Sequence, residues 1–312
     1  MSYILAHGCS YTNKNYKPYV DPDVIIDFLF WPELLGIDLN CDVVNLGSNG
    51  HGNHRICMET VDYLFAAKEK PKAVFVLLSG WDRHHILGAV NFNPTNELTS
   101  LYAKIEENKI THDQIELRNV IKGMENYDPS IKESDHIKHL KLKLAFTKYQ
   151  IEANRHSMKP ETIISSNLRP VEYLYMICDS MNIPLFIMQG LTPTGFYAIE
   201  NRIPDYIKKL QSEGKINGLN LFNYKLFHKA LMGNQYFNNI DDREDRPIGW
   251  PFFPELGGYY LDHIISRLEK DNNYTYETTP YRISLLDRHP NGNGQMLIKK
   301  YFLKEYRDRI NE

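Results

Sequence analysis

Long apolar runs, paired cysteines, a strong excess of either charge and internal repeats are all missing from this 312-residue chain. Without an apolar run near the about 20 residues that span a bilayer, no transmembrane helix is expected. The four cysteines, Cys9, Cys41, Cys57 and Cys178, are scattered with no Cys-x-x-Cys spacing. That excludes a zinc-knuckle or dithiol motif and predicts free thiols in a reducing compartment. A net charge of -3 supplies no electrostatic attraction to nucleic acid or to an anionic membrane. No Gly-Lys-Ser/Thr and no Gly-x-Gly-x-x-Gly is present, so no phosphate loop is expected. No basic segment leads into a leader-like apolar region, which predicts a cytoplasmic protein; carriage in a virus particle is the alternative.

What is present is an alternation of strand and helix signals. Tyr3-Ile4-Leu5-Ala6-His7-Gly8 reads as a buried strand ending in glycine, and Ser10 follows at its carboxyl end. Open α/β sheets place their reactive groups there. Trp31-Pro32-Glu33 reads as a helix start, with proline at the first position and an acid near the dipole's positive end. Asp42–Leu46 is a second strand running into the glycine-rich Gly47-Ser48-Asn49-Gly50-His51-Gly52-Asn53. A helix over about 54–68 places Ile56, Val61, Leu64 and Phe65 on one face. Ala73–Leu78 is apolar without alternation, the mark of a strand covered on both faces. Further helices are expected over 136–157 and from Pro170 onward, a fourth strand over Ile183–Gly190, and a closing helix over about 293–308 with Met296, Leu297, Tyr301 and Phe302 inward. These alternations predict an α/β fold, a three-layer α/β/α doubly wound parallel sheet of flavodoxin-like type. One domain is expected, with insertions at about 90–135 and 191–265.

The chemistry-bearing residues lie at the two ends of the chain. Ser10 sits in a small-residue turn after the first strand, and Asp287-x-His289-Pro290 precedes the last helix. Serine, imidazole and carboxylate form a plausible nucleophile, base and orienting acid. Each has a plainer reading: Ser10 as a helix cap, His289 as a loop histidine, the glycines as a turn. His51 and His54 are three apart, and Asp82, His84 and His85 cluster after the third strand, but no zinc-protease motif is formed. No metal and no cofactor is expected. Arg83 pairs with Asp82 or meets a substrate. Trp250, Phe252, Phe253, Tyr259 and Tyr260 form an aromatic wall for substrate or pack the second insertion onto the core.

With these pieces placed, the chain resembles the SGNH hydrolases, also called GDSL-like esterases or lipases. Gly8-Cys9-Ser10 stands at the first block, with cysteine in place of the usual aspartate. Asn45-Leu46-Gly47-Ser48-Asn49-Gly50 matches the second block's Asn-x-Gly-x-x-Gly form. At the third block, Ser79-Gly80-Trp81-Asp82 departs from Gly-x-Asn-Asp, so the usual asparagine's place falls to Trp81 or Asp82. At the fourth, Asp287-x-His289-Pro290 is one residue shorter than Asp-x-x-His-Pro. The resemblance implies an SGNH-type fold, Ser10 as nucleophile, His289 as base and Asp287 as its orienting acid. It implies an oxyanion hole from the Ser10 and Gly50 amides, with Asp82 at the third position. Trp81, Arg83 and Trp250 are the expected substrate-binding residues. The implied substrate is a small-molecule or glycan ester, such as a short acyl group on a carbohydrate. The alternatives are an inactive binding or structural protein, motivated by the altered third and fourth blocks, and a metal-dependent hydrolase using His51, His54, Asp82 and His84.

Overall fold

The computed structural model describes residues 2–18, 23–81, 160–193, 224–274, 279–284 and 287–310. All of these belong to one compact unit formed by 1–92 and 160–312. The expected insertion at 90–135, the expected helix at 136–157, and Asp82, Arg83, His84 and His85 lie outside the described residues.

The elements in chain order are β1 (Tyr3–Gly8), α1 (Trp31–Leu39), β2 (Asp42–Asn45), α2 (Asn53–Ala66), β3 (Ala73–Leu78), α3 (Pro160–Met181), β4 (Leu185–Gln189), α4 (Tyr224–Met232), α5 (Gln235–Asp241), α6 (Leu261–Asp271) and α7 (Gly292–Ile310). Among the described residues, four strands form one sheet in the order β2-β1-β3-β4, every pair parallel. β1 is interior, with Leu5 in register with Val44 on one side and Val74 on the other. The chain leaves β1 toward one edge and returns to place β3 on its opposite side. That reversal makes a switch point, and its crevice opens beyond the carboxyl ends of β1 and β3.

The uninterrupted apolar runs are explained by two cores, one on each face of the sheet. Val74, Val76 and Leu78 of β3 pack with Leu5, Ile56, Leu64, Leu168 and Leu174. Ala73, Phe75 and Leu77 pack on the other face with Ile4, Trp31, Leu35, Ile298 and Phe302. α2 and α3 therefore cover one face and α1 and α7 the other, a three-layer arrangement. Residues 224–265 are integrated into these cores. Phe227, Leu231, Phe237, Phe252 and Phe253 join the α2–α3 side, and Leu261 and Ile265 the α1–α7 side. The Ile248 amide donates to the Ile187 carbonyl at 2.7 Å, extending the ladder by one parallel bridge beyond β4.

Three expectations need correction. Pro170 does not open a helix; it lies inside α3, which starts at Pro160. Phe65 is 64% exposed, and Cys57 and Thr60 take the inward positions of α2 beside Ile56, Val61 and Leu64. In α7, Met296 is exposed and the inward stripe is Gln295, Ile298, Phe302 and Tyr306. The last shift has a polar cause. Buried Gln295 accepts from the Trp31 amide at 3.0 Å and donates to the Tyr11 carbonyl at 3.2 Å. It supplies a partner for an amide at the start of α1 that no helical carbonyl reaches.

The β2 loop touches the β1 turn through backbone. A Cβ built on Gly47 would lie 2.6 Å from the Thr12 carbonyl carbon and 2.8 Å from the Asn13 nitrogen. Neither backbone atom can rotate away, so Gly47→Ala should cost about 1–3 kcal/mol of stability. Urea unfolding should show a lower midpoint at unchanged slope; an unchanged midpoint would mean that the two loops separate freely.

Candidate active site

The turn after β1 is fixed before any chemistry is added. The Thr12 amide donates to the Cys9 carbonyl at 2.9 Å, closing a tight turn around Ser10. A side chain at Gly8 would collide with Thr12 Oγ1 and sit 2.9 Å from the Leu77 carbonyl, so β1 and β3 stay close only because residue 8 has none. Thr12 Oγ1 accepts from the Trp31 indole at 3.1 Å. Asn45, the last residue of β2, donates to the Thr12 carbonyl and to Glu33, each at 2.9 Å, and accepts from the Gly47 amide at 2.9 Å. The Ser48 amide reaches the Gly8 carbonyl at 3.1 Å, and Asn13 donates to Asn49 at 2.9 Å. Gly50 has φ +74°, the left-handed region that favours glycine. The second loop is thus tied to the Ser10 turn through the residues that lead into Gly50.

Ser10 Oγ lies 2.8 Å from His289 Nε2, although 279 positions separate them. His289 Nδ1 lies 2.6 Å from Asp287 Oδ1. The same carboxylate oxygen accepts from the His289 backbone amide at 3.0 Å. This side-chain-to-backbone turn explains how a one-residue gap suffices between acid and base. The loop is held from outside as well. Ser284 and Asp287 exchange two hydrogen bonds of 3.0 Å, and the Ile283 amide donates to the His289 carbonyl at 2.9 Å. Asn291 caps the start of α7 and donates to the Pro280 and Arg282 carbonyls.

Tyr16 is a site residue that the sequence did not single out. Its hydroxyl donates to Asp287 Oδ2 at 2.7 Å and lies 2.9 Å from His289 Nδ1. Its ring stacks on the imidazole, centroids 4.2 Å apart. Tyr11 meets the same imidazole edge-on at 5.2 Å and donates to Asp262, which also pairs with buried Arg282 at 2.7 Å. The only sequence signal was two tyrosines within six residues of Ser10, in a stretch otherwise polar enough to read as an open loop.

The third block is organised by buried amides. Asn53 accepts from the Ser79 amide at 2.6 Å and donates to Asn167 at 3.0 Å. Asn167 donates to the Trp81 carbonyl, and Gln189 donates to the Ser79 carbonyl at 2.6 Å. Trp81 itself is 1% exposed, packs on Phe227 and Phe253, and donates to Gln189 at 3.2 Å. It forms floor, not contact surface. Trp250 packs on Phe237 and Phe252, donates to Asp241 at 2.7 Å, and lines a surface groove with Tyr259. Phe252 and Phe253 are buried in the core.

The histidines regroup in a way the sequence did not indicate. His54 is exposed, whereas His51 meets His7 of β1 and Glu59 of α2. Among the described residues, these three are the cluster able to hold a metal ion.

No family model and no curated protein matches the chain in sequence. Among solved structures, it is similar to a G-D-S-L family lipolytic protein from Desulfitobacterium hafniense DCB-2, at 11% identity, covering 98% of this chain and 99% of that one, with a TM-score of 0.40. A lipolytic protein of the same family from Veillonella parvula DSM 2008 matches at 10% identity over 100% of both chains, with a TM-score of 0.35. Both belong to the family that the four sequence blocks resemble. At these values neither likeness bears on the chemistry of the site, which stands on its own geometry.

Asp287 is 1% exposed. Burial alone pushes its carboxyl pKa up, but hydrogen bonds from His289 and Tyr16 outweigh that and hold it below the ordinary carboxylate value. A carboxyl depressed in the folded state stabilises the fold above the unfolded pKa, and the contribution disappears as pH falls through the folded pKa. Urea unfolding should therefore show wild type losing stability on acidification more steeply than Asp287→Asn. Parallel pH profiles would show that the carboxylate gains nothing from folding.

Proposed function

We propose that this chain is a serine hydrolase of the SGNH type that cleaves a carboxylic ester through an acyl-enzyme on Ser10. The reading rests on one observation: a continuous relay from Ser10 to His289 at 2.8 Å and from His289 to buried Asp287 at 2.6 Å. A serine hydroxyl is a weak nucleophile near neutral pH and needs a base held in the correct tautomer. Asp287 accepts a hydrogen bond from Nδ1–H, which keeps the proton on Nδ1 and leaves the Nε2 lone pair for Ser10 Oγ. Ser10 Oγ attacks the ester carbonyl while its proton passes to His289 Nε2. The negative oxygen of the tetrahedral intermediate takes hydrogen bonds from the Ser10 and Gly50 amides. The carbon–oxygen bond to the alcohol breaks, and the alcohol leaves with the His289 proton. Water, deprotonated by His289, then releases the acid and restores Ser10.

The preferred substrate is a short O-acyl group on a hydroxyl-rich alcohol such as a carbohydrate. Asn13, Lys14, Asn15 and Asn49, close to Ser10 in the turn and in the loop bonded to it, are polar and partly or fully exposed. Such a rim suits hydroxyl groups better than an acyl chain. Tyr16 is a positioning residue: it bonds to Asp287 and stacks on His289, and so acts through both.

A second reading, a weak or inactive protein that keeps the fold for binding, is favoured by the third block. There the amides of Asn53, Asn167 and Gln189 are already engaged with one another and with backbone. A missing oxyanion donor typically costs about 2.7–4 kcal/mol of transition-state stabilisation, which slows a reaction without abolishing it.

A fluorophosphonate probe read by intact mass separates the two. One adduct is expected on wild type and none on Ser10→Ala; no adduct on folded wild type would show that Ser10 is not activated and would overturn the hydrolase reading. Asp287→Asn should slow labelling by on the order of 10^4-fold, because the imidazole then adopts the wrong tautomer. Tyr16→Phe keeps the stacked ring but loses the hydroxyl, and should lower ester kcat about tenfold with KM little changed. A change confined to KM would place Tyr16 in substrate binding instead.

A further inference from the structure

The acyl-transfer reading leaves unused a buried polar cluster formed by β1, the Gly47–Gly52 loop and α2. His7 is 0% exposed and His51 4% exposed. His7 Nε2 and His51 Nδ1 each lie 3.5 Å from Glu59 Oε2, and the three atoms are within 4.8 Å of one another. The hydrogen bonds around His7 determine which of its nitrogens carries the proton. Thr60 Oγ1 donates its one hydrogen to the Ile56 carbonyl at 2.7 Å. Toward His7 Nδ1, 3.0 Å away, it can then only accept. Nδ1 therefore carries the proton, and Nε2 presents a bare lone pair. Among the described residues that lone pair has no hydrogen-bond partner, and a carboxylate oxygen, another acceptor, lies 3.5 Å away. Two acceptors this close, one of them fully buried, repel unless a positive charge lies between them.

We propose that His7 Nε2, His51 Nδ1 and Glu59 Oε2 form a site for one divalent transition-metal ion of the zinc class, with water completing a tetrahedron. Ligand atoms bound about 2.0–2.1 Å from a tetrahedral zinc lie about 3.3–3.4 Å apart, close to both 3.5 Å separations. Two imidazoles and one carboxylate are a donor set that suits zinc or cobalt and is poor for magnesium or calcium. The supporting contacts are those that metal sites need. Thr60 fixes the His7 tautomer, and Arg55 holds the second carboxylate oxygen of Glu59 at 2.5 Å. Glu59 is about one-third exposed, which gives an ion and its water a way in. The ion would join β1, three residues before Ser10, to the loop of Gly50 through His51. Its role is to pin that loop; no step of the acyl transfer passes through it.

The test is titration of chelator-treated, folded protein with cobalt(II), followed by visible absorption, and with zinc(II), followed by calorimetry and thermal melting. Wild type should bind one ion per chain, show the intense visible bands of four-coordinate cobalt, and melt at higher temperature with zinc. Glu59→Gln and His51→Asn should each weaken binding at least tenfold while keeping the wild-type circular dichroism. Glu59→Gln is the deciding variant, because a partly exposed side chain of similar shape does not threaten folding. The proposal is overturned if folded wild type develops no cobalt bands, or if Glu59→Gln binds zinc as tightly as wild type does.

Discussion

β1 is hydrogen-bonded on both edges and covered on both faces, and the rest of the molecule has to accommodate it. A strand held this way cannot twist or slide to suit its surroundings. The groups at its carboxyl end are therefore positioned by the whole sheet. The backbone that follows must turn within van der Waals reach of β3 and of the β2 loop. That is why residues 8 and 47 have no side chain. Everything that meets the turn approaches a fixed target. Asn45 comes from β2, Trp31 and Gln295 from the starts of α1 and α7, and His289 from the loop before α7.

The second constraint is the burial of a carboxylate. Taking Asp287 out of water without partners would cost several kcal/mol, far more than one hydrogen bond returns. Three donors meet it: the His289 ring, the His289 amide and the Tyr16 hydroxyl. The amide comes without additional ordering, because it belongs to the same turn. Tyr16 comes from the other end of the chain, so the polar stretch after Ser10 must fold back over the imidazole. The acid's need for donors thus shapes both the fourth block and the loop after the first.

Sequence patterns revealed the parts governed by apolar burial and missed those governed by buried polar contacts. β1, β3 and β4 were legible because each is a short apolar run ending near glycine, and Ser10 and His289 because of where they fall after such elements. Gln295 was not, since a polar residue at a helix start reads as outward-facing, whereas here it bridges α1 and the Ser10 turn. Its inward position also rotated the stripe read for α7. Pro170 reads as a helix start on propensity alone, yet α3 begins ten residues earlier at Pro160. Tyr16 lay in a stretch with no periodicity to classify. His7 reads as one more residue of a buried strand, and its partners are 44 and 52 positions away, beyond any motif spacing.

The two roles proposed for His289 and His7 follow from what holds Nδ1 in each. His289 Nδ1 donates to a buried carboxylate. In the proposed mechanism that ring gains a proton at Nε2 from Ser10 and returns it, as a base in acyl transfer must. His7 Nδ1 donates to a hydroxyl, which carries no charge to offset a second proton. Burial, and then the nearby His51, push the His7 pKa down to about 3, so the ring stays neutral with Nε2 bare. A ring that cannot take up a proton near neutral pH is a poor base. It remains a good ligand, because a metal ion binds the same lone pair without competing with a proton. The difference between Asp287 and Thr60 therefore separates a group suited to moving protons from one suited to holding an ion, on two sides of the same strand end.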